Sequence, residues 1–154
     1  MRTSTVRREE EMADISSAAY ELEEGSGLHL DFSKMAKAVA QCPDVIPVAV
    51  QNADTKEVIL VAYTNREAFE RSIRTRIATF WSTFRNRLWI KGEESGNSFE
   101  MVEIRLNCEQ NSLVYLVHPK GEGICHTRNS EGRARDCYYR RLNMDSGVLE
   151  NLDP

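Results

Sequence analysis

The chain has 154 residues, of which 41% are hydrophobic and 29% are charged, and its formal net charge is -4. A chain of this length can bury its own core without disulfides, and the composition is that of an ordinary globular domain. The acidic balance argues against sequence-independent nucleic-acid binding, which needs a basic face, and no apolar run has membrane-spanning length. The N-terminal segment lacks the apolar stretch of a secretory signal, so we expect a cytoplasmic protein with reduced cysteines.

Composition divides the chain into three segments. Residues 1–28 are polar and acidic and end in Gly-Ser-Gly, which predicts a mobile leader. Residues 29–142 carry the apolar patterns of a folded domain, and residues 143–154 read as a C-terminal tail.

The first half of the folded segment predicts two helices on either side of a β-hairpin. The first helix lies in DFSKMAKAVAQC after a cap at Asp31 or Ser33, and the second lies in NREAFERSIRTR after a cap at Asn65. Between them, two runs rich in valine and isoleucine flank NADTKE, as in a hairpin. Apolar residues at helical spacing predict the buried faces: Met35, Ala36 and Val39, then Ala68, Phe69 and Ile73.

The second half predicts a series of strands. IATFWST, RLWIKG, FEMVEIRLN and SLVYLVHP have β-forming compositions and are separated by polar turns. In the third of these, apolar Met101, Ile104 and Leu106 are interspersed with charges. We therefore expect an α+β fold with an antiparallel sheet and a few flanking helices.

Three of the four cysteines suggest metal chemistry. Cys108 lies at a strand-to-turn junction, Cys125 directly precedes His126, and Cys137 follows a short polar insert. Three thiolates with one open position would suit a zinc ion that activates water. The spacing alone is weak, since there is no C-x-x-C, and buried cysteines are often simple core residues. Cys42 has no metal-like neighbours.

Several short motifs occur together in one order between about Val45 and Arg140. The most specific are LWIKGEESGN and Cys-His-Thr. This part of the chain resembles the phosphoribosyl-AMP cyclohydrolase family of histidine biosynthesis. The matching residues are Trp81-Ser82, Arg85, Leu88-Trp89, Lys91-Gly92-Glu93, Ser95-Gly96-Asn97, Cys108, Cys125-His126-Thr127 and Cys137.

The resemblance implies an obligate homodimer with active sites at the subunit interface. Zinc would be held by three cysteines from two chains, with Cys108 of one subunit meeting Cys125 and Cys137 of the other. The implied reaction is the hydrolysis of the N1–C6 bond of the adenine ring of phosphoribosyl-AMP, which gives a ring-opened formimino product.

The resemblance also implies roles for individual side chains. His126 would move protons, because its pKa suits near-neutral pH, and Lys91 would act as a catalytic cation. The substrate carries two phosphates, which require cations and a glycine-bearing turn. The expected substrate-binding residues are Arg85, Trp89, Ser95, Gly96, Asn97, Thr127, Arg133 and Arg135. Trp89 is the candidate for stacking on the base, although tryptophans in strands are more often core residues.

The chain departs from the family pattern in the site itself. The family has three aspartates around the first cysteine, which bind magnesium, whereas this chain has Asn107, Glu109 and Asn111. Two amides and one carboxylate should bind that hard cation far more weakly. The family's glycine after Cys-His-Thr is Arg128, its glutamine after the SGN motif is Phe99, and the insert before Cys137 is longer and adds Arg133 and Arg135. These arginines could replace magnesium as the counter-charge to phosphate.

Two other functions therefore stay open. One is a repurposed hydrolase that acts on a different nucleotide or amidine ring. The other is a non-catalytic dimer stapled by zinc, in which the metal would have a fourth protein ligand. In either enzyme reading the partner is a small phosphorylated nucleotide, and we expect neither nucleic acid nor a membrane as partner.

Overall fold

The structure is a computed structural model that describes residues 16–154, so residues 1–15 of the predicted leader lie outside the described residues. Its elements in chain order are α1 (residues 16–24), α2 (Lys34–Gln41), β1 (Ile46–Asn52), β2 (Val58–Thr64), α3 (Arg66–Thr75), β3 (Thr79–Ser82), β4 (Arg87–Ile90), β5 (Phe99–Leu106), β6 (Leu113–Pro119), β7 (Arg140–Leu142) and β8 (Leu149–Asn151). None of the helices in residues 16–154 is long and apolar enough to span a bilayer.

The main sheet has four strands in the order β2-β1-β6-β5. The β1–β2 and β5–β6 pairs are antiparallel hairpins, but β1 and β6 run parallel, with Val50 opposite Tyr115. The α+β class is confirmed, whereas the expectation of purely antiparallel pairing is wrong at this seam. The reason is that α3, β3 and β4 form a long connection between β2 and β5. The second hairpin, β5–β6, can therefore lie with β6 next to β1 and parallel to it.

The core lies between the main sheet, α3 and the β3–β4 hairpin. Ser72 on α3 donates from its hydroxyl to the Ala68 carbonyl at 2.9 Å and accepts from the Thr79 amide at 2.9 Å, which fastens α3 to β3. The central buried side chains are Val48, Val50, Ile59, Ala62, Ala78, Phe80, Phe99, Met101, Leu113, Tyr115 and Val117.

Helix α3 begins as predicted, because the Asn65 side chain accepts a hydrogen bond from the Ala68 amide at 3.0 Å. Its predicted face is wrong at Ile73, which is exposed, while the small Ser72 is buried. In helix α2, too, the buried residue is not one of those predicted. Met35 and Val39 are exposed, and the buried residue of the helix is Ala38.

The predicted alternation in β5 fails beyond Met101. The register shifts between Met101 and Glu103, so that two residues oppose one on β6. As a result Ile104 is only partly buried and Leu106 is exposed at the end of the strand.

The described chain forms two compact units. The larger comprises residues 32–138 and contains the main sheet. The smaller combines residues 16–31 with residues 139–154. Within it, the Tyr139 hydroxyl donates to the Glu23 carbonyl at 2.6 Å, and the Leu149 amide donates to the Ser26 carbonyl at 2.9 Å. Residues 143–154, read as a tail from sequence, thus include strand β8, and residues 16–24 of the predicted leader are helical.

Candidate active site

The segment that follows β6 folds back on itself and brings two cysteines together. The Cys125 amide donates to the Arg135 carbonyl at 2.7 Å, and the Arg135 amide donates to the Thr127 carbonyl at 3.0 Å. Gly123 permits this close pairing, because a Cβ there would lie 2.5 Å from the Cβ of Ala134. The ladder carries Cys125 on one side and leads into Cys137 on the other.

Asn129 organises the turn at the tip of this ladder. Its side-chain oxygen accepts from the Glu131 amide at 3.1 Å and from the Arg133 amide at 2.9 Å. Gly132 has the positive φ of 79° that the turn requires. The insert between the two cysteines is therefore an ordered turn that fixes their spacing. Asn129 is not among the residues predicted from sequence, although an asparagine three residues before a glycine is typical of such turns.

Cys125 and Cys137 form a hydrogen-bonded thiol pair. The pKa of Cys125 is lowered to about 5, chiefly because Cys137 hydrogen-bonds to its sulfur, with further help from Thr127, whose hydroxyl donates to Sγ at 3.3 Å. The pKa of Cys137 is raised well above its ordinary range by the same bond and by burial. The two thiols therefore titrate as one coupled pair, in which a hydrogen bond between the sulfurs favours ionisation of Cys125 and disfavours that of Cys137.

Lys91 places a buried ammonium group beside this pair. The side chain is 6% exposed, and its Nζ donates to the Ile124 carbonyl at 3.0 Å and lies 4.9 Å from the centre of the Phe99 ring. Burial lowers the pKa of Lys91, and the charges of Cys137 and Cys125 oppose that shift. Lysine and cysteines therefore stabilise one another's charged forms.

His126 lies on the exposed side of the thiol pair. Its Nδ1 is 3.8 Å from the Cys125 sulfur, and the residue is exposed to solvent. Since Nδ1 faces the sulfur, Nε2 is on the opposite edge of the imidazole. An exposed imidazole therefore lies next to Cys125.

Cys108 lies elsewhere in the same chain. It is exposed on the turn between β5 and β6, beside Leu106 and Leu113, which pair at one end of the hairpin. The thiol pair follows the other end, where Phe99 pairs with Pro119 and Lys91 contacts Phe99. A seven-residue strand separates the two ends by about 20 Å. Accordingly, no group of three or more histidine, cysteine or carboxylate side chains with metal-site geometry occurs within residues 16–154.

The predicted phosphate-binding loop between Lys91 and Phe99 is a tight turn connected to the cysteine segment. Gly92 and Gly96 have positive φ angles of 85° and 75°, and Ser95 is exposed. The Asn97 side-chain oxygen accepts from the Glu122 amide at 3.0 Å. Asn97 therefore joins this loop to the chain that leads to Cys125, which gives it a structural role in addition to the predicted one.

Arg85 and Trp89 belong to the β3–β4 hairpin. Arg85 is exposed near the turn, and Trp89 is 37% exposed with its ring 5.4 Å from that of Phe80. Trp89 thus packs on the core with one side and leaves the rest of the ring accessible.

The two arginines of the insert differ in environment. Arg133 is exposed and forms an ion pair with Glu131, whereas Arg135 is 4% exposed and takes part in the ladder through its backbone. Thr127, another predicted substrate-binding residue, is buried and bonded to Cys125. In a single chain, Arg133 is the more accessible of the two arginines.

Comparisons with known proteins match the part of the chain that contains this site. The family model described as phosphoribosyl-AMP cyclohydrolase matches residues 60–139. The phosphoribosyl-AMP cyclohydrolase of Nitrosopumilus maritimus is 46% identical over 98 residues, which are 64% of this chain and 85% of that protein. The phosphoribosyl-AMP cyclohydrolase of Bordetella parapertussis is 40% identical over 122 residues, 78% of this chain and 87% of that protein.

A longer protein is also similar. The histidine biosynthesis bifunctional protein HisIE of Thermus thermophilus is 47% identical over 98 residues, 64% of this chain and 43% of that protein. These matches define the chain as an enzyme of the cyclohydrolase class. It belongs to the phosphoribosyl-AMP cyclohydrolase family.

Proposed function

We propose that this protein hydrolyses the N1–C6 bond of the adenine ring of phosphoribosyl-AMP, as a zinc-dependent step of histidine biosynthesis. The observation that carries the proposal is the thiol pair of Cys125 and Cys137 beside the buried Lys91, within the residues that match the family model. The names of the similar cyclohydrolases support the substrate, and the name of the bifunctional protein supports the pathway.

The donor set suits zinc in chemistry but is incomplete in one chain. Two adjacent sulfurs, with the pKa of Cys125 lowered, match the preference of zinc for thiolates. A zinc ion with an open position lowers the pKa of a bound water to about 7. Cys108 is exposed and lies far from the pair in its own chain, so we propose that a second copy supplies it and that the enzyme is a homodimer with shared sites.

His126 is the proposed proton carrier. Its exposed imidazole next to Cys125 can accept a proton from the attacking water and deliver it to N1 as the ring opens. Water addition forms a C–O bond at C6 and releases one proton. Cleavage of the N1–C6 bond leaves the electron pair on N1, which takes that proton, while the remaining hydroxyl proton passes to the exocyclic nitrogen or to solvent as the carboxamide C=O forms. The step consumes one water and requires no oxidant.

Lys91 holds positive charge at the site without contacting bulk solvent. A second or third thiolate at one site is unfavourable unless a cation compensates it, and Lys91 couples to both sulfurs of the pair. Lys91 would in this way act as the catalytic cation that the family resemblance implies. The exposed Arg85, Arg133 and Ser95 remain the proposed phosphate-binding side chains.

A repurposed hydrolase acting on another nucleotide ring is the second candidate. The observation that favours it is the ordered turn around Asn129, because this longer insert places different side chains near the cysteines. A purely structural zinc site is disfavoured, since it would need neither a buried lysine nor an exposed histidine.

The direct test is turnover of phosphoribosyl-AMP by the zinc-loaded protein, followed by the ultraviolet change on ring opening. We expect turnover in the wild type and its loss in Cys125→Ala and His126→Ala, with zinc content reduced in the first variant alone. Zinc bound in stoichiometric amount without turnover would overturn the proposed substrate and favour the repurposed hydrolase.

A further inference from the structure

The turn that carries Cys108 is held together by its own side chains. It comprises Asn107–Ser112 and closes the β5–β6 hairpin, with the Asn107 amide donating to the Ser112 carbonyl at 3.2 Å. Gln110 has a positive φ of 55°, and Cys108 is exposed. The family resemblance assigns a magnesium site to Asn107, Glu109 and Asn111 of this turn, so the donors can be compared with that expectation.

Backbone amides fix which way the asparagine side chains face. The Asn107 Oδ1 accepts from the Asn111 amide at 2.9 Å and from the Ser112 amide at 3.0 Å. Backbone N–H groups can only donate, so this atom must be the oxygen, and the Nδ2 of Asn107 must point to Asn111. It donates to the Asn111 Oδ1 at 2.7 Å.

The same logic extends one residue further. Since the Asn111 Oδ1 receives that bond, its Nδ2 is directed to the Glu109 carboxylate, where it donates to Oε2 at 3.2 Å. The result is a one-way chain of donors, from the backbone to Asn107, then to Asn111 and finally to Glu109. Each bond in such a chain polarises the next.

This chain does not fit a magnesium ion. Magnesium takes oxygen ligands in near-octahedral geometry and is held through carboxylates. Here the side-chain oxygens of Asn107 and Asn111 and one oxygen of Glu109 already accept hydrogen bonds, and amide N–H groups lie between them. A cation would have to displace these donors and would gain a single carboxylate.

Carboxylates at the same positions would behave differently. With aspartate at both asparagine positions, oxygens 2.7 Å and 3.2 Å apart would face one another without a proton between them. Like charges at that separation require a counter-ion. In this turn, the amide protons of Asn107 and Asn111 lie between the oxygens that such a cation would otherwise bridge.

We propose that the amide protons of Asn107 and Asn111 replace a divalent cation in ordering the Cys108 turn, so that this enzyme requires no magnesium there. Asn107 and Asn111 are thus positioning residues for Cys108. The proposal rests on the proposed function in taking Cys108 as a zinc ligand, but its test uses binding and stability and does not depend on turnover.

The test compares the zinc-loaded full chain with the Asn107→Asp/Asn111→Asp double variant. Melting temperature is measured against MgCl2 concentration, and bound Mn2+, as a paramagnetic probe for the same site, is measured by electron paramagnetic resonance. We expect the wild type to show neither a saturable rise in melting temperature nor bound Mn2+. The double variant should melt lower without magnesium and regain about 5 °C when saturated with it.

Two further variants keep the test decisive if the double variant folds poorly. Glu109→Gln removes the remaining carboxylate, and Asn111→Asp creates a single like-charge contact with Glu109. We expect Glu109→Gln, like the wild type, to show no rise in melting temperature with magnesium. Asn111→Asp should show such a rise. A saturable response in the wild type that Glu109→Gln abolishes would overturn the proposal, as would an Asn111→Asp variant with no new response.

Discussion

The ammonium group of Lys91 donates a hydrogen bond to the carbonyl of Ile124 at 3.0 Å, across 33 positions of sequence. Ile124 packs against the hydrophobic core and directly precedes Cys125. One bond therefore fixes the backbone of the cysteine segment and holds a cation beside the thiol pair. It links the LWIKGEESGN motif to the Cys-His-Thr motif in space.

Replacing Lys91 by an uncharged side chain of similar length should affect turnover and leave stability nearly unchanged. We expect Lys91→Met to lower turnover by about 100-fold or more, because the compensating charge beside the thiolates is lost. Its free energy of unfolding should stay close to that of the wild type, since the buried ammonium is itself costly to desolvate. Steady-state kinetics and denaturant unfolding measure the two effects. Equal turnover in wild type and Lys91→Met would contradict this role.

The hydrogen bond from Cys137 should control the ionisation of Cys125. In metal-free protein with Cys108→Ser as background, alkylation of Cys125 by iodoacetamide should follow its thiolate fraction, with a midpoint near the pKa of about 5. Cys137→Ala removes the donor, so the midpoint should move up towards the ordinary thiol value. Cys137→Ser retains a donor and should keep the midpoint low. The same midpoint in the Ala and Ser variants would show that the bond is not the cause.

The turn around Asn129 should matter for metal binding as well as for stability. Asn129→Ala leaves two backbone amides without their acceptor and should lower the free energy of unfolding by about 1–3 kcal/mol. Zinc affinity should fall too, because the turn fixes the approach of Cys125 to Cys137. Asn129→Asp retains the acceptor and serves as the matched control in unfolding and zinc titrations. An Asn129→Ala variant with wild-type zinc affinity would contradict this account.

Gly92 and Gly96 of the predicted phosphate-binding loop allow the cost of backbone strain to be separated from that of a steric clash. Both have positive φ, but a Cβ at Gly92 would lie 2.3 Å from the Ser98 amide nitrogen, whereas one at Gly96 would meet nothing within 4 Å. We expect Gly96→Ala to cost about 1 kcal/mol and Gly92→Ala clearly more, as measured by denaturant unfolding. Equal losses of unfolding free energy in the two variants would mean that the positive φ, and not the clash at Gly92, determines the cost.

The sequence predicted those features that depend on local pattern. The hairpin of β1 and β2, the Asn65 cap of α3 and the four later strands follow from composition and turn residues close in sequence. The buried helix faces did not follow, because Ala38 and Ser72 are small residues placed inside by the packing of the helices against the sheet. Periodicity of large apolar residues cannot show this.

The parallel seam between β1 and β6 also lay outside local pattern. It joins residues more than 60 positions apart, and the strand sequences are compatible with either direction. In the site, the motifs predicted candidate residues, and the structure brings three of them, Cys125, Cys137 and Lys91, close together. The Asn129 turn is local and is indicated by the glycine three residues later, whereas the link from Asn97 to Glu122 joins residues 25 positions apart and no local motif encodes it.

We propose that Cys108 of one copy completes a site formed by Cys125 and Cys137 of another. Mixing the inactive variants Cys108→Ala and Cys125→Ala tests it most directly, with turnover of phosphoribosyl-AMP as the readout after subunit exchange. Random exchange should restore about a quarter of wild-type turnover, because half of the dimers would then hold one intact site. Turnover in Cys108→Ala alone, or no recovery in a mixture whose subunits are shown to exchange, would contradict the account.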